Sequence, residues 1–300
     1  MNDNDNDLDA IDLRLFFRSV GQFNGGRSLN STATERSEPE IPVTNLDAHP
    51  SKVSATPLSV LGFIDGVQSA MTVTWREHRP VFLSYTAAGC VGKNAKLLGV
   101  REKIEVICSE PDIDWFESLS SGISVTMLEE KSPDRIERSA LAHLASRRDE
   151  HERALVTDLV VNLDRPVVVD GSLIARPTDP RICAVVKTTR RKWLKDERVL
   201  YGLPQGWRSP RFIIPAGSQG VPIDRYSCYL RLFDASHRGW DYGLIRLETF
   251  DLELLEPLAA LALAERQNPR AGDPRADRHL ASVRACEQVL KARMPAVFGL

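Results

Sequence analysis

Long apolar runs are missing from this 300-residue sequence, and no stretch approaches the roughly 20 apolar residues that cross a bilayer. The first twelve residues, MNDNDNDLDAID, are acidic and polar, which is the wrong chemistry for a secretory or transit signal. The five cysteines are scattered and show no CxxC spacing, which argues against a zinc site or a disulfide scaffold. These absences predict a cytoplasmic protein with reduced thiols and no membrane contact.

Three signatures of common enzyme families are also missing. The sequence contains no GxxxxGK[ST], no GxGxxG and no GxSxG, so nothing in it indicates an NTPase, a Rossmann enzyme or an α/β-hydrolase. The net charge of -2 does not by itself indicate a nucleic-acid-binding protein. The basic residues are unevenly distributed, however, because residues 187–211 contain eight Lys or Arg and only two acidic residues.

The order of apolar segments predicts an α/β (α+β) fold with one mixed sheet flanked by helices. Residues 1–57 are expected to be a disordered or loosely docked segment, with a short amphipathic helix at 8–20 and a linker from about 21 to 57. The body is expected to span residues 58–300. Its strands are predicted at 60–65, 70–75, 80–91, 104–108, 166–170, 181–188, 211–214, 227–233 and 242–249. Its helices are predicted from Pro133 to about Asn162 and at 190–200, 251–266 and 276–293.

Two of these strands are β-branched and end in Asp-Gly, at Asp65–Gly66 and at Asp170–Gly171. Burial of a lone carboxylate is costly, so an aspartate at the end of a core strand needs a partner. A divalent cation shared by the two strand ends would be such a partner. The alternative is that each Asp-Gly is only a turn after a strand.

The long helix places a third acid near these two. At 100° per residue, Glu152 lies within the apolar stripe of the helix, whereas Glu150 points about 160° away from it. Glu152 would therefore face the core, where it could extend to solvent, pair with an arginine of the basic segment at 190–200, or bind a metal beside Asp65 and Asp170. Three carboxylates would form an oxygen-rich site suited to Mn²⁺ or Mg²⁺.

Other polar residues are weaker candidates. Lys187 ends a buried strand, where it could hold a phosphate or extend its ammonium to solvent. The run TRRKWLKDER could be a solvated helix face or a contact to a polyanion backbone. Asp234, His237 and His279 could join a metal site, although isolated residues of these types are more often structural or exposed.

The sequence resembles the NurA family of DNA-end-processing nucleases from about residue 58 to residue 250. The resemblance lies in FIDG, in RRDEHER on the long helix, in VVVDGSL followed by CAVVKTTR, and in the paired strands YLRLF and YGLIRLE. It implies an RNase H-like fold, bound Mn²⁺ and a hexameric HerA-type ATPase as partner. By position, Asp65, Glu152 and Asp170 match the acids of that family.

The chain departs from the family pattern in two places. The first motif usually reads DGS, whereas here it reads DGVQS, which moves Ser69 further along the strand. The family also has a C-terminal histidine region, for which ADRHLASVR offers only His279 as a tentative metal ligand. These departures leave open altered metal geometry or an inactive relative.

The sequence therefore predicts a metal-dependent deoxyribonuclease that hydrolyses phosphodiester bonds in DNA repair, end processing or defence. Asp65, Glu152 and Asp170 would be catalytic and would bind the metal. DNA would be bound by a basic group made of Lys187, Arg190, Arg191 and Lys192. The alternatives are an inactive nucleic-acid-binding or assembly subunit and an RNase H-like nuclease that acts on RNA. A homodimer is also possible.

Overall fold

The computed structural model describes residues 43–112, 114, 123–161, 164–187, 193–194, 196–268 and 276–298. The predicted helix at 8–20 and the basic residues Arg190, Arg191 and Lys192 lie outside the described residues. No helix in the described part of the chain is long and apolar enough to span a membrane.

The described residues form twelve strands and four α-helices. The strands are β1 (Thr44–Asn45), β2 (Ser51–Lys52), β3 (Gly62–Arg76), β4 (Arg79–Val91), β5 (Leu97–Ser109), β6 (Ser124–Leu128), β7 (Val167–Asp170), β8 (Ile182–Val186), β9 (Trp207–Arg208), β10 (Phe212–Ile214), β11 (Arg225–Arg231) and β12 (Leu244–Thr249). The α-helices are α1 (Pro133–Val160), α2 (Arg198–Tyr201), α3 (Leu252–Glu265) and α4 (Ala281–Arg293). A separate 3-10 turn at Ala276–Arg278 precedes α4, within the helix predicted at 276–293.

All twelve strands belong to one sheet. Its main path runs β1-β10-β11-β12-β8-β7-β3-β4-β5-β6, while β9 pairs with β2 and β11. The long strands β3, β4 and β5 are antiparallel neighbours, whereas β7 pairs in parallel with both β3 and β8. The predicted fold class, a mixed sheet flanked by helices, is confirmed.

Helices cover both faces of the sheet. Alternate residues of a strand point to opposite sides, so a single strand contacts the helices on both faces. On β3, Ile64 packs in one cluster with Leu155 and Val156 of α1. Its neighbour Phe63 belongs to a different cluster, together with Val283 of α4. The sheet therefore separates α1 on one face from α3 and α4 on the other.

The strands predicted at 60–65 and 70–75 are one continuous strand, β3, so the expectation that Asp65 ends a strand is wrong. β3 pairs with β4 along nearly its whole length, with one irregularity between Thr72 and Thr74. The polar stretch after Asp65 resembles a turn in sequence, but the cross-strand hydrogen bonds to β4 keep it extended. Asp170, by contrast, is the last residue of β7, as predicted.

The predicted linker is also too long, because its last residues belong to the sheet. β1 pairs with β10, and β2 pairs with β9. Between these two strands, Asp47 accepts hydrogen bonds from Arg208 Nη1 at 2.7 Å and from Arg211 Nη2 at 2.9 Å. Burial raises the pKa of Asp47, but the hydrogen bonds from Arg211 and Arg208 outweigh burial and lower it to about 2. The folded body therefore begins before residue 58.

The ion pairs of Asp47 should hold the N-terminal strands on the body. Asp47→Ala leaves the buried guanidinium of Arg208 with one acid fewer, so we expect the free energy of unfolding to fall by about 2 kcal/mol. Asp158→Ala is the matched control, because Asp158 forms an ion pair with Arg101 in which both side chains are largely exposed. Urea unfolding of the three proteins measures the difference. Equal effects of the two substitutions would contradict this role of Asp47.

Candidate acidic site

Asp65 and Asp170 lie side by side on neighbouring parallel strands. Ile64 of β3 is paired with Val169 of β7, so the next residue on each strand is an aspartate. Adjacent strands are about 4.8 Å apart, and alternation turns both carboxylates to the face covered by α4. Burial, and then the charge of Asp170, raise the pKa of Asp65 to about 7. The two acids therefore repel each other within one site.

Lys187 supplies a positive charge to this pair. It follows β8, its side chain is 8% exposed, and its Nζ lies 2.9 Å from Asp170 Oδ2. Its charge also opposes the rise in the pKa of Asp65. The ammonium of Lys187 is thus part of the acidic site rather than extended to solvent.

Glu152 is buried on α1, as its helical phase predicts, and Glu150 is exposed. The carboxylate of Glu152 lies against Gly66, where an added Cβ would be 2.5 Å from Glu152 Oε1. Glu152 forms ion pairs with Arg176 and, at 3.6 Å, with Arg148 Nε. Burial raises the pKa of Glu152, and the two arginines oppose that rise. Glu152 is therefore paired with arginines, but these are Arg176 and Arg148 and not the predicted arginines of the basic segment at 190–200.

The three acids approach from two faces of the sheet. Asp65 and Asp170 face α4, whereas Glu152 comes from α1 over Gly66, and its charge still raises the pKa of Asp65. Within the described residues, no three Asp, Glu, His or Cys side chains are grouped closely enough to hold one metal ion. The oxygens of Asp65 and Asp170 fit a hard divalent cation, which would offset their repulsion. Glu152 is instead balanced by the guanidinium groups of Arg176 and Arg148.

The C-terminal part of the chain adds two polar side chains near Lys187. Burial raises the pKa of Glu287, but Lys291, His279 and Lys187 lower it below its ordinary value. His279 is buried just before α4, and Glu287 lies on that helix beside the buried stripe of Val283, Cys286 and Leu290. Sequence reasoning missed Glu287, although the phase argument used for Glu152 would have found it.

The remaining candidates lie away from this site. Asp234 and His237 are exposed, and Asp234 Oδ1 accepts hydrogen bonds from the backbone and hydroxyl of Ser236. This is the exposed, local role that residues of these types usually have. No sequence pattern indicated a role for Arg176, because a single arginine in a loop belongs to no recognisable motif.

No protein-family model matches the chain, and no curated protein is significantly similar to it. The resemblance to the NurA family therefore remains a prediction from short motifs.

The contact between Gly66 and Glu152 can be tested by adding one methyl group. In Gly66→Ala the new Cβ would meet Glu152 Oε1 at 2.5 Å and Arg148 Cγ at 2.6 Å, and Glu152 is held by Arg176. We expect the free energy of unfolding, measured in urea, to fall by about 2 kcal/mol. Gly202→Ala is the control, because nothing lies within 4 Å of its added Cβ and its φ is -95°. A Gly66→Ala protein as stable as Gly202→Ala would refute the close approach of Glu152.

The raised pKa of Asp65 predicts a pH-dependent stability. An acid that titrates near 7 when folded, against an ordinary 3.8, adds stability at low pH that is lost as the pH rises from about 4 to 7. Asp65→Asn carries no charge at any pH. It should therefore stabilise the protein more at pH 7.5 than at pH 4.5, by about 2 kcal/mol after allowance for the partial exposure of Asp65. Urea unfolding in EDTA at both pH values measures this, and an equal effect at both would show that Asp65 titrates normally.

Proposed function

We propose that this protein is a metal-dependent nuclease that hydrolyses phosphodiester bonds of DNA. The observation that carries the proposal is the pair of carboxylates, Asp65 and Asp170, on adjacent parallel strands. Their mutual repulsion and the raised pKa of Asp65 give a divalent cation a favourable place to bind. Glu152 lies against Gly66 from the other face of the sheet and adds negative charge near Asp65.

Each residue has a separate task in this proposal. Asp65 and Asp170 would hold the ion, and Glu152, from the α1 face of the sheet, would add negative charge near Asp65. Bound Mn²⁺ or Mg²⁺ would activate water and neutralise the charge that develops on the phosphate. Lys187 brings positive charge to the edge of the acid pair, which suits contact with a DNA phosphate.

The arrangement of the central strands also supports the proposal. Three antiparallel strands, β5-β4-β3, are followed in the sheet by β7 and β8, both parallel to β3, and α1 precedes β7. This order is compatible with the RNase H-like fold that the NurA resemblance implies. A HerA-type ATPase as partner, a cytoplasmic location and a role in DNA repair or defence extend the proposal through the same resemblance.

An inactive nucleic-acid-binding or assembly subunit is the second candidate, and one observation favours it. Two of the three acids already have cationic partners, since Glu152 pairs with Arg176 and Asp170 pairs with Lys187. When cationic side chains of the protein already neutralise the carboxylates, a metal ion gains less by binding to them. Cleavage assays separate the two candidates directly.

The decisive assay uses purified protein on linear and circular DNA with Mn²⁺, Mg²⁺ or EDTA. We expect cleavage with a divalent ion and none in EDTA. Asp170→Ala and Glu152→Gln should each lower the cleavage rate by about 100-fold or more. Even the loss of a residue that only hydrogen-bonds to a metal ligand lowers metal affinity or activity by about 10- to 100-fold. Single-stranded RNA in a parallel reaction tests the alternative substrate.

Glu150→Gln is the matched control on the same helix. Its side chain is exposed, and its ion pair is with Arg147 at 2.8 Å, so the variant should cleave at nearly the wild-type rate. Equal losses in Glu150→Gln and Glu152→Gln would refute the assignment of Glu152. DNA binding without any cleavage by the wild-type protein would favour the inactive subunit.

A further inference from the structure

The segment after Asp170 is anchored by a carboxylate far away in sequence. Glu248 on β12 is completely buried. Its Oε2 accepts a hydrogen bond from Ser172 Oγ at 2.8 Å and another from the backbone N–H of Leu173 at 2.8 Å. Both donors belong to the DGSL sequence that begins at Asp170. The carboxylate thus fixes the chain where it turns away from β7.

Two arginines balance the charge of Glu248. Arg246 Nη2 lies 2.8 Å from Glu248 Oε1, and Arg225 Nη1 lies 3.5 Å from Oε2. Arg225 Nη1 also donates to Ser172 Oγ at 3.4 Å. Burial raises the pKa of Glu248, but Arg246 and Arg225 outweigh it and keep the pKa below its ordinary value. The anchor is therefore an ionised group with fixed partners on several sides.

The turn between Asp170 and Ser172 leaves little freedom. Gly171 has a φ of +108°, which favours glycine, and its N–H donates to Val185 O at 2.9 Å. Asp170 is therefore held by β7 on one side and by the anchored DGSL turn on the other. A displacement of Ser172 and Leu173 would move the Asp170 carboxylate relative to Asp65.

The same segment also reaches the third acid. Leu173 packs in one cluster with Leu155 and Val156 of α1. Three residues later, Arg176 forms its ion pair with Glu152, and its backbone N–H donates to Leu173 O at 3.2 Å. One anchored stretch, residues 171–176, therefore connects Asp170 on one face of the sheet to the partner of Glu152 on the other.

We propose that Glu248 is the positioning residue of the acidic site, which sets the placement of Asp170 and of Arg176 through its hydrogen bonds to Ser172 and Leu173. The metal-related part of this inference rests on the proposed function. The structural part does not, because the contacts of residues 171–176 exist whatever the protein does. Glu248 touches neither substrate nor metal and acts through the DGSL turn.

The test compares Glu248→Gln with a matched control, Glu105→Gln. Glu105 is also a completely buried acid of the same sheet. It is held by Lys103 Nζ at 3.0 Å, Thr126 Oγ1 at 2.8 Å and His143 Nε2 at 2.9 Å, and contacts no residue of 171–176 in the described part of the chain. Both substitutions remove one buried charge, so both should lower stability. Only one of them removes the anchor.

Hydrogen exchange followed by mass spectrometry gives a readout without activity. We expect peptides that cover 171–176 to exchange at least about tenfold faster in Glu248→Gln than in wild type, with no such change in Glu105→Gln. In the cleavage assay, kcat should fall about tenfold or more in Glu248→Gln while the KM for DNA stays within about twofold. The dissociation constant for Mn²⁺, measured by calorimetry, should rise 10- to 100-fold in the same variant.

The outcomes separate the two proposals. A wild-type protein that neither binds Mn²⁺ nor cleaves DNA would overturn the proposed function, and exchange over 171–176 would then decide the role of Glu248 alone. Unchanged exchange in Glu248→Gln would overturn the positioning role. Equal losses of Mn²⁺ affinity in Glu248→Gln and Glu105→Gln would overturn it as well, since general destabilisation would then explain both.

Discussion

The parallel pairing of β3 with β7 is the constraint on which the acidic site depends, because it places Asp65 beside Asp170. Two neighbouring carboxylates in a partly buried place repel each other, and the fold offsets this in several ways. Lys187 forms an ion pair with Asp170, and the backbone N–H of Gly66 donates to Asp65 Oδ1 at 2.8 Å. The cost that remains appears as the raised pKa of Asp65.

Close packing across the sheet explains why these groups are near one another. Gly66 lets the Glu152 carboxylate approach the backbone from α1, while Gly89 on the adjacent strand leaves room for Leu290 of α4, whose Cδ2 would be 2.8 Å from an added Cβ. The two glycines thus let α1 and α4 pack closely against the sheet from opposite faces. Larger side chains there would push the helices outward, and one at Gly66 would move Glu152 away from Asp65.

The sequence predicted the elements with strong periodicity and failed where tertiary contacts decide. The start of α1 at Pro133 and the burial of Glu152 follow from two local rules, the preference for proline at the first helical position and helical phase. β3 was divided into two strands because a glycine and polar residues resemble a turn until a helix is known to lie over them. Glu248 was missed for a related reason, since charges that alternate with apolar residues on a strand normally indicate a solvent face. Here that face is covered, and arginines balance the charge.

The distribution of charge gives Asp65 a distinct role among the three acids. Asp170 pairs with Lys187, and Glu152 pairs with Arg176 and Arg148, whereas within the described part of the chain Asp65 forms no ion pair of its own. Its carboxyl is therefore protonated below about pH 7 unless a cation arrives. Metal binding and proton release are coupled at such a group, since only the ionised form is a good ligand. A divalent ion bound there would offset the charge of Asp65, with Asp170 placed beside it by the sheet and the DGSL turn.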